Sequence, residues 1–222
     1  MDRYQQVAAL ADPVRRRLYD YVADRSDAVS REEAAEGAQV PLHTARFHLE
    51  RLVEEGLLET EFRRLTGRSG PGAGRPSKLY RRASVEVSVS LPPRSYDLVG
   101  SVLAGAVARS LAGEALDEAL TAEARRRGVD AGSSYDGSGD DVERTASLLD
   151  REGFEPDVDE SGGITLRNCP FDALAQEQPA VVCGVNLAYL CGALDGLGCA
   201  RLGARLEPAP DRCCVAIDPD PS

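Results

Sequence analysis

The chain is poor in histidine. Only His43 and His48 occur among 222 residues, and both fall in one short segment. No imidazole outside that segment is at hand to serve as general base to a nucleophile. A Cys-x-x-Cys pair is also missing, which removes the zinc ribbon and the thioredoxin-type redox motif. So is a glycine-rich phosphate loop. No enzyme is expected. The first thirty residues are polar and charged, without the apolar core of a secretory signal. The apolar stretch Leu98–Ala108 is far too short to span a bilayer. A cytoplasmic protein with no membrane partner is expected.

What is present concentrates first between Val29 and Arg82. Ser30 and Glu33 form a Ser-x-x-Glu capping box that opens a helix ending near Gly37. Val40-Pro41 closes a turn, since the residue before proline avoids the α region. A second helix is expected from about Leu42 to Glu55, with Gly56 at its C-terminal boundary. Upstream, Asp12-Pro13 caps a helix over Val14–Ala23, in which Leu18, Tyr21 and Val22 face inward. Residues 3–10 read as a further short helix.

The second helix is two-faced. Ala45, Leu49, Leu52 and Val53 form an apolar stripe with His48 on its flank. The other side carries His43, Thr44, Arg46, Phe47 and Arg51. A phenylalanine on so polar a face suits a thymine methyl in a major groove, with Thr44, His43 and Arg51 reaching base edges or phosphates. Packing of Phe47 on a neighbouring helix or a dimer partner is the alternative.

Two short strands, Leu57–Arg64 and Ser77–Arg82, then flank a tip rich in Gly, Pro and Arg, expected to be mobile. Arg63, Arg64, Arg68, Arg75, Lys78, Arg81 and Arg82 stand there against only Glu59 and Glu61. Such a basic hairpin suits a minor groove or its phosphates. Together these parts follow the order of a winged helix-turn-helix, and Arg68, Arg75 and Lys78 join the candidate contacts to double-stranded DNA.

The net charge of −11 is unevenly shared. Residues 1–82 hold 15 basic and 13 acidic side chains; the rest hold 11 and 24. The acidic portion opposes indiscriminate DNA binding.

Beyond the wing, Ala83, Val85, Val87, Val89 and Leu91 alternate with polar residues, the pattern of a half-buried strand stopped by Pro92-Pro93. A long helix is expected from about Arg94 to Arg127. Its small residues, Gly100, Ala104, Gly105 and Ala108, suit either a homodimer spine or core packing within one chain. Residues 128–140 read as a flexible loop. A helix over Asp141–Glu152 follows, then a hairpin of Phe154–Asp159 with Gly163–Arg167, a helix Ala180–Leu197 and a last hairpin of Ala204–Glu207 with Cys213–Ile217. The fold class is α+β: a winged helix-turn-helix domain over residues 1–82, a strand and dimerisation helix over 83–127, the loop, and a cysteine-rich α+β sensor domain over 141–222.

All six cysteines lie in that last part: Cys169, Cys183, Cys191, Cys199, Cys213 and Cys214. In a reducing compartment this density points to metal or redox chemistry rather than disulfides. With both histidines elsewhere, any ligand set is rich in thiolate, which favours an iron–sulfur cluster, zinc or copper(I). Cys183, Cys191 and Cys199 are eight residues apart along one helix, about 12 Å per step at its rise, so one small cluster cannot take all three. Cys183 falls in the first turn, where the helix dipole favours a thiolate. Cys213 and Cys214 alternate across a strand, so one of them is expected to face the site.

The segments Leu10–Leu18, Thr44–Leu52 and Gly74–Tyr80 resemble ArsR-type winged-helix regulators, most of all the iron–sulfur-responsive SufR-like branch. Asn168-Cys-Pro-Phe171, Val182-Cys-Gly-Val-Asn-Leu187 and Arg212-Cys-Cys-Val215 resemble the sensor half of that branch. The resemblance implies a homodimeric repressor in which Cys169, Cys183 and Cys213 hold a [4Fe–4S] or [2Fe–2S] cluster, with Cys214 or Cys199 as alternates. Zinc or an organic effector, with the cysteines structural, is the alternative. A thiol enzyme using Cys183 or Cys213-Cys214 is the more distant one.

Overall fold

Capping side chains set the boundaries of the N-terminal helices. In the computed structural model, which describes residues 3–64 and 76–219, Asp12 accepts from the backbone N–H groups of Val14 and Arg15. Ser30 and Glu33 close both halves of their capping box. The chain divides into two units, Met1–Val89 and Ser90–Ser222.

The first unit runs α1 Arg3–Ala9, α2 Pro13–Ala23, β1 Val29–Ser30, α3 Arg31–Gly37, α4 Leu42–Glu54, β2 Leu58–Arg63 and β3 Ser77–Arg82. The strands form an antiparallel sheet in the order β1-β3-β2. Leu18, Ala45, Leu49, Leu52 and Leu58 are fully buried between the helices and this sheet. Gly56 follows α4 in the left-handed region, φ 67°, where a side chain would be strained, and there the chain turns into the wing. Helix, turn, helix and hairpin therefore stand where the sequence puts them. The tip, with Arg68 and Arg75, lies outside the described residues.

The segment after β3 is not a strand. Residues 83–91 carry no ladder, and only Val87 packs onto the core of the first unit. Val85 is half exposed and Leu91 is 78% exposed. Alternation supplies a strand with a face but not with a neighbouring edge, and the described residues offer none.

The second unit continues α5 Tyr96–Leu111, α6 Leu116–Ser133, α7 Asp141–Arg151, β4 Pro156–Val158, β5 Ile164–Leu166, α8 Asp172–Glu177, α9 Pro179–Leu197, β6 Leu202–Leu206 and β7 Val215–Pro219. The strands form an antiparallel sheet, β4-β5-β7-β6. The single long helix expected over 94–127 is two helices that pack on each other. They break at Gly113, φ +106°, and an Arg109–Glu114 ion pair at 2.7 Å braces the turn. Apolar periodicity continues across the break, so it does not register the reversal.

The expected loop over 128–140 is also corrected at its start, because α6 stays helical to Ser133. Its glycines sit against another helix. A Cβ on Gly128 or Gly132 would strike the backbone of α9 at Tyr189 and Ala193, and one on Gly192 or Gly196 would strike α6 at Arg125 and Val129. The two helices thus meet backbone to backbone along a glycine seam. Helix α9 is long and apolar enough to cross a membrane by length and composition, yet Leu190, Tyr189, Val185 and Leu194 bury it as the central helix of this unit.

Candidate functional site

Helix α4 presents His43, Arg46 and Phe47 to solvent on the face opposite Leu49 and Leu52, with Thr44 partly covered. Phe47 is 66% exposed, an apolar area left open on a polar face. Its ring meets that of His48 edge-on at 5.2 Å. His48 itself is buried and its Nδ1 accepts from Arg15 Nε at 3.4 Å, so α2 and α4 are tied behind the exposed face. Arg15, His43, Arg46, Phe47, Glu50 and Arg51 line an open hollow of about 500 Å³.

Two of the candidate cations are already engaged. Arg51 pairs with Glu54 at 3.3 Å and with the buried Glu55. Lys78 on β3 donates to both oxygens of Glu50 on α4, at 2.8 and 2.6 Å, and the Tyr80 hydroxyl donates to the same carboxylate at 2.7 Å. Burial raises the Glu50 pKa, but these hydrogen bonds outweigh it and hold the carboxyl below its ordinary value. The Tyr80 phenol is pushed up, by burial first and then by its bond to Glu50. Glu50 therefore locks the exposed helix to the hairpin. The sequence reading missed it, although an acid between Phe47 and Arg51 on so basic a face was a signal.

The second candidate site lies in the other unit. The Cys213 N–H donates to the Leu166 carbonyl at 2.8 Å, so the end of β5 runs beside the start of β7. Three residues beyond Leu166 the chain reaches Cys169, whose carbonyl accepts from the N–H of Asp172 at the head of α8. Helix α9 begins at Pro179, one residue earlier than expected, which puts Cys183 in its second turn. The four side chains come together: Cys213 is hydrogen-bonded to the thiols of Cys169 and Cys214, and Cys214 also to Cys183. All six cysteines are free thiols.

The cluster is electrostatically uneven. Cys213 is shifted toward the thiolate, first by the Cys169 thiol and then by Cys214, against the cost of its burial. The Val215 N–H and the Asn186 amide add to this, the latter donating from Nδ2 to Sγ at 3.1 Å. The thiols of Cys169 and Cys214 are pushed up, in each case first by hydrogen bonding to Cys213 and then by burial.

Both Cys213 and Cys214 thus take part, where the strand pattern offered one. Cys199 lies elsewhere, its Sγ 3.7 Å from the Asp141 carbonyl. Cys191 sits beside Arg125 and Asp195. As they stand, no three His, Cys, Asp or Glu side chains among the described residues close around a metal ion. The thiols form an open chain rather than a closed cage.

The loop carrying Cys169 is bonded to the start of the unit. Asn168 Nδ2 donates to the carbonyls of Pro93 and Gly153 at 2.9 and 2.6 Å, and Arg94 donates to Asn168 Oδ1 at 2.6 Å. The Ser95 N–H donates to the Pro170 carbonyl at 3.1 Å, and Arg94 lies 3.7 Å from Asp172.

Residues 10–61 match the family of the helix-turn-helix domain. That match and the exposed face of α4 support a DNA-binding transcription regulator. No curated protein and no solved structure matches the chain.

Proposed function

We propose that the chain is a homodimeric, SufR-like transcription repressor whose cysteines in the second unit hold an iron–sulfur cluster, [4Fe–4S] or [2Fe–2S], that alters its affinity for an operator. The observation that carries this reading is the meeting of Cys169, Cys183, Cys213 and Cys214 from three separate stretches of chain. In chemical type the donor set fits the group, and the thiols would have to draw together around it from their open arrangement: it is all sulfur and partly shielded by apolar neighbours, with one member already inclined to the thiolate. When bound, the cluster would supply a centre sensitive to iron supply and to oxidants.

The chain's own residues supply the rest. Cys169, Cys183 and Cys213 would serve as ligands, with Cys214 beside them. Asn168 and Arg94 carry the position of the Cys169 loop to residues 93–95, just after the boundary between the units. His43, Thr44, Arg46 and Phe47 would enter a major groove, with Arg68, Arg75 and Lys78 on the wing. The exposed face of α5, with Leu103, Val107 and Leu111 beside Gly100, Ala104 and Ala108, supports a second copy as partner.

The same four thiols would also suit a tetrahedral zinc ion. Protein isolated without oxygen distinguishes the two. A brown protein with matched iron and acid-labile sulfide, lost in Cys169→Ser and Cys213→Ser but kept in Cys191→Ser, is the expected result. Zinc without sulfide moves the site to the second reading. A chain that stays colourless and metal-free after attempted reconstitution overturns both.

A further inference from the structure

Asn186 is out of place in its surroundings. It lies in the middle of α9 between Val185 and Leu187, is 1% exposed, and has Leu190 and Tyr189 as buried neighbours on the same helix. Its side-chain oxygen has no hydrogen-bond partner among the described residues. The one bond its side-chain amide makes among the described residues is from Nδ2 to Cys213 Sγ, 3.1 Å long. A half-satisfied amide is an unfavourable group to bury unless the bond it does make is a strong one. A bond to a neutral sulfur is weak, and a bond to a thiolate is charge-assisted.

The position along the helix is also informative. Asn186 is three residues after Cys183, so the two share a face of α9. In the free protein Cys213 accepts hydrogen bonds from Cys169 and Cys214 as well. Once those thiols lose their protons to a bound metal centre they can no longer donate. The donors that persist at Cys213 are then the Val215 N–H and the Asn186 amide. Only the second belongs to a side chain that can be exchanged.

We propose that Asn186 is a positioning residue for the cysteine site, whose N–H···S bond to Cys213 stabilises the more negatively charged state of the bound cluster and so raises its reduction potential. This rests on the cluster reading above. Hydrogen bonds to ligand sulfurs are among the factors that set the potential of such centres, because a donor offsets the charge acquired on reduction. Asn186 tunes the signal threshold and is not itself a ligand.

The test uses the full chain, loaded with cluster without oxygen. Asn186→Leu keeps the side-chain volume and removes the donor. Iron and sulfide contents equal to the parent, with a midpoint potential lower by about 59 mV, a tenfold change in a one-electron equilibrium, are the expected result. The Fe–S(Cys) stretching band should move to higher frequency in parallel. A fully loaded Asn186→Leu with the parent's potential and vibrational spectrum overturns the proposal. If Asn186→Leu does not hold the cluster, Asn186→Asp carries the test, since it keeps the shape and replaces the donor by a negative charge. Its potential must fall; a value at or above the parent's overturns the proposal. Loss of the cluster from both folded variants also overturns it, by assigning Asn186 to retention instead of tuning. A parent chain that takes up no iron or sulfide defeats the cluster reading itself, an outcome separate from all of these.

Discussion

Arg94 donates to the side-chain oxygen of Asn168 at 2.6 Å, and Asn168 is the residue immediately before Cys169. Four residues before Arg94, Ser90 opens the second unit, and its hydroxyl accepts from the Arg94 N–H at 2.7 Å. One buried amide therefore joins the cysteine loop to the segment that leads in from the N-terminal unit.

Removing Arg94 should break that link. Arg94→Ala leaves the buried Asn168 oxygen without its partner, at a cost of about 1–3 kcal/mol to the second unit. We expect denaturant unfolding to show that loss while the cluster content stays near the parent's. The ratio of operator affinities between loaded and stripped protein should collapse toward unity. A variant with the parent's ratio would assign the link to stability alone.

Phe47 tests the DNA face. Because its ring is largely exposed, Phe47→Ala should leave the melting temperature within about 2–4 °C of the parent. Specific operator affinity should fall by about 1–3 kcal/mol, at least several-fold, if the ring meets a base. Unchanged binding in a fluorescence anisotropy titration would remove Phe47 from the interface.

Glu50 tests the lock between α4 and the wing. Glu50→Gln removes a negative charge from the side proposed to meet DNA and releases Lys78. The slope of log affinity against log salt should steepen by about one for each further phosphate that the freed cation neutralises. Non-specific affinity should rise with it. An unaltered slope would mean that Lys78 stays away from the backbone even when freed.

The same carboxylate predicts a pH effect. Its folded pKa is depressed, so the stability it contributes is present above the unfolded value, about 4.3, and is lost as pH falls through the lower folded value. Thermal unfolding of the N-terminal unit followed from about pH 6 to about pH 3 should show a steeper acid loss in the parent than in Glu50→Gln. Parallel curves would contradict the assignment.

The glycine seam makes the sharpest stability prediction. Gly192→Ala forces a methyl against the Arg125 carbonyl and should cost about 1–3 kcal/mol or more. Gly184→Ala, exposed on α9 with open space around the new methyl, should add about 0.5–1 kcal/mol of stability from helix propensity. Equal effects in a denaturant melt would mean that the two helices lie further apart than the structure has them.

The N-terminal architecture was legible because its signals are local. Asp12 with Pro13, Ser30 with Glu33, and Gly56 after Glu54 each act within one turn of chain. The strand expected at 83–91 failed for the opposite reason, since a ladder needs a second edge that alternation does not supply. The single helix expected over 94–127 failed too, because Gly113, with its positive φ, turns α5 back onto α6.

Sequence alone determined that the first half is a capped helix-turn-helix with a basic hairpin and that the second half is rich in thiols. Those properties follow from bonds and side-chain patterns spanning a few residues. The tertiary structure decided that Cys214 stands with Cys169, Cys183 and Cys213 while Cys199 does not, and that Glu50 holds the wing. It also decided that Gly128 and Gly192 face another helix. Each of these depends on where the chain returns after tens of residues. That return is governed by the burial of Leu49, Leu58 and Tyr80 in the core of the first unit and of Leu166, Leu190 and Val215 in that of the second, a collective property that no local pattern carries.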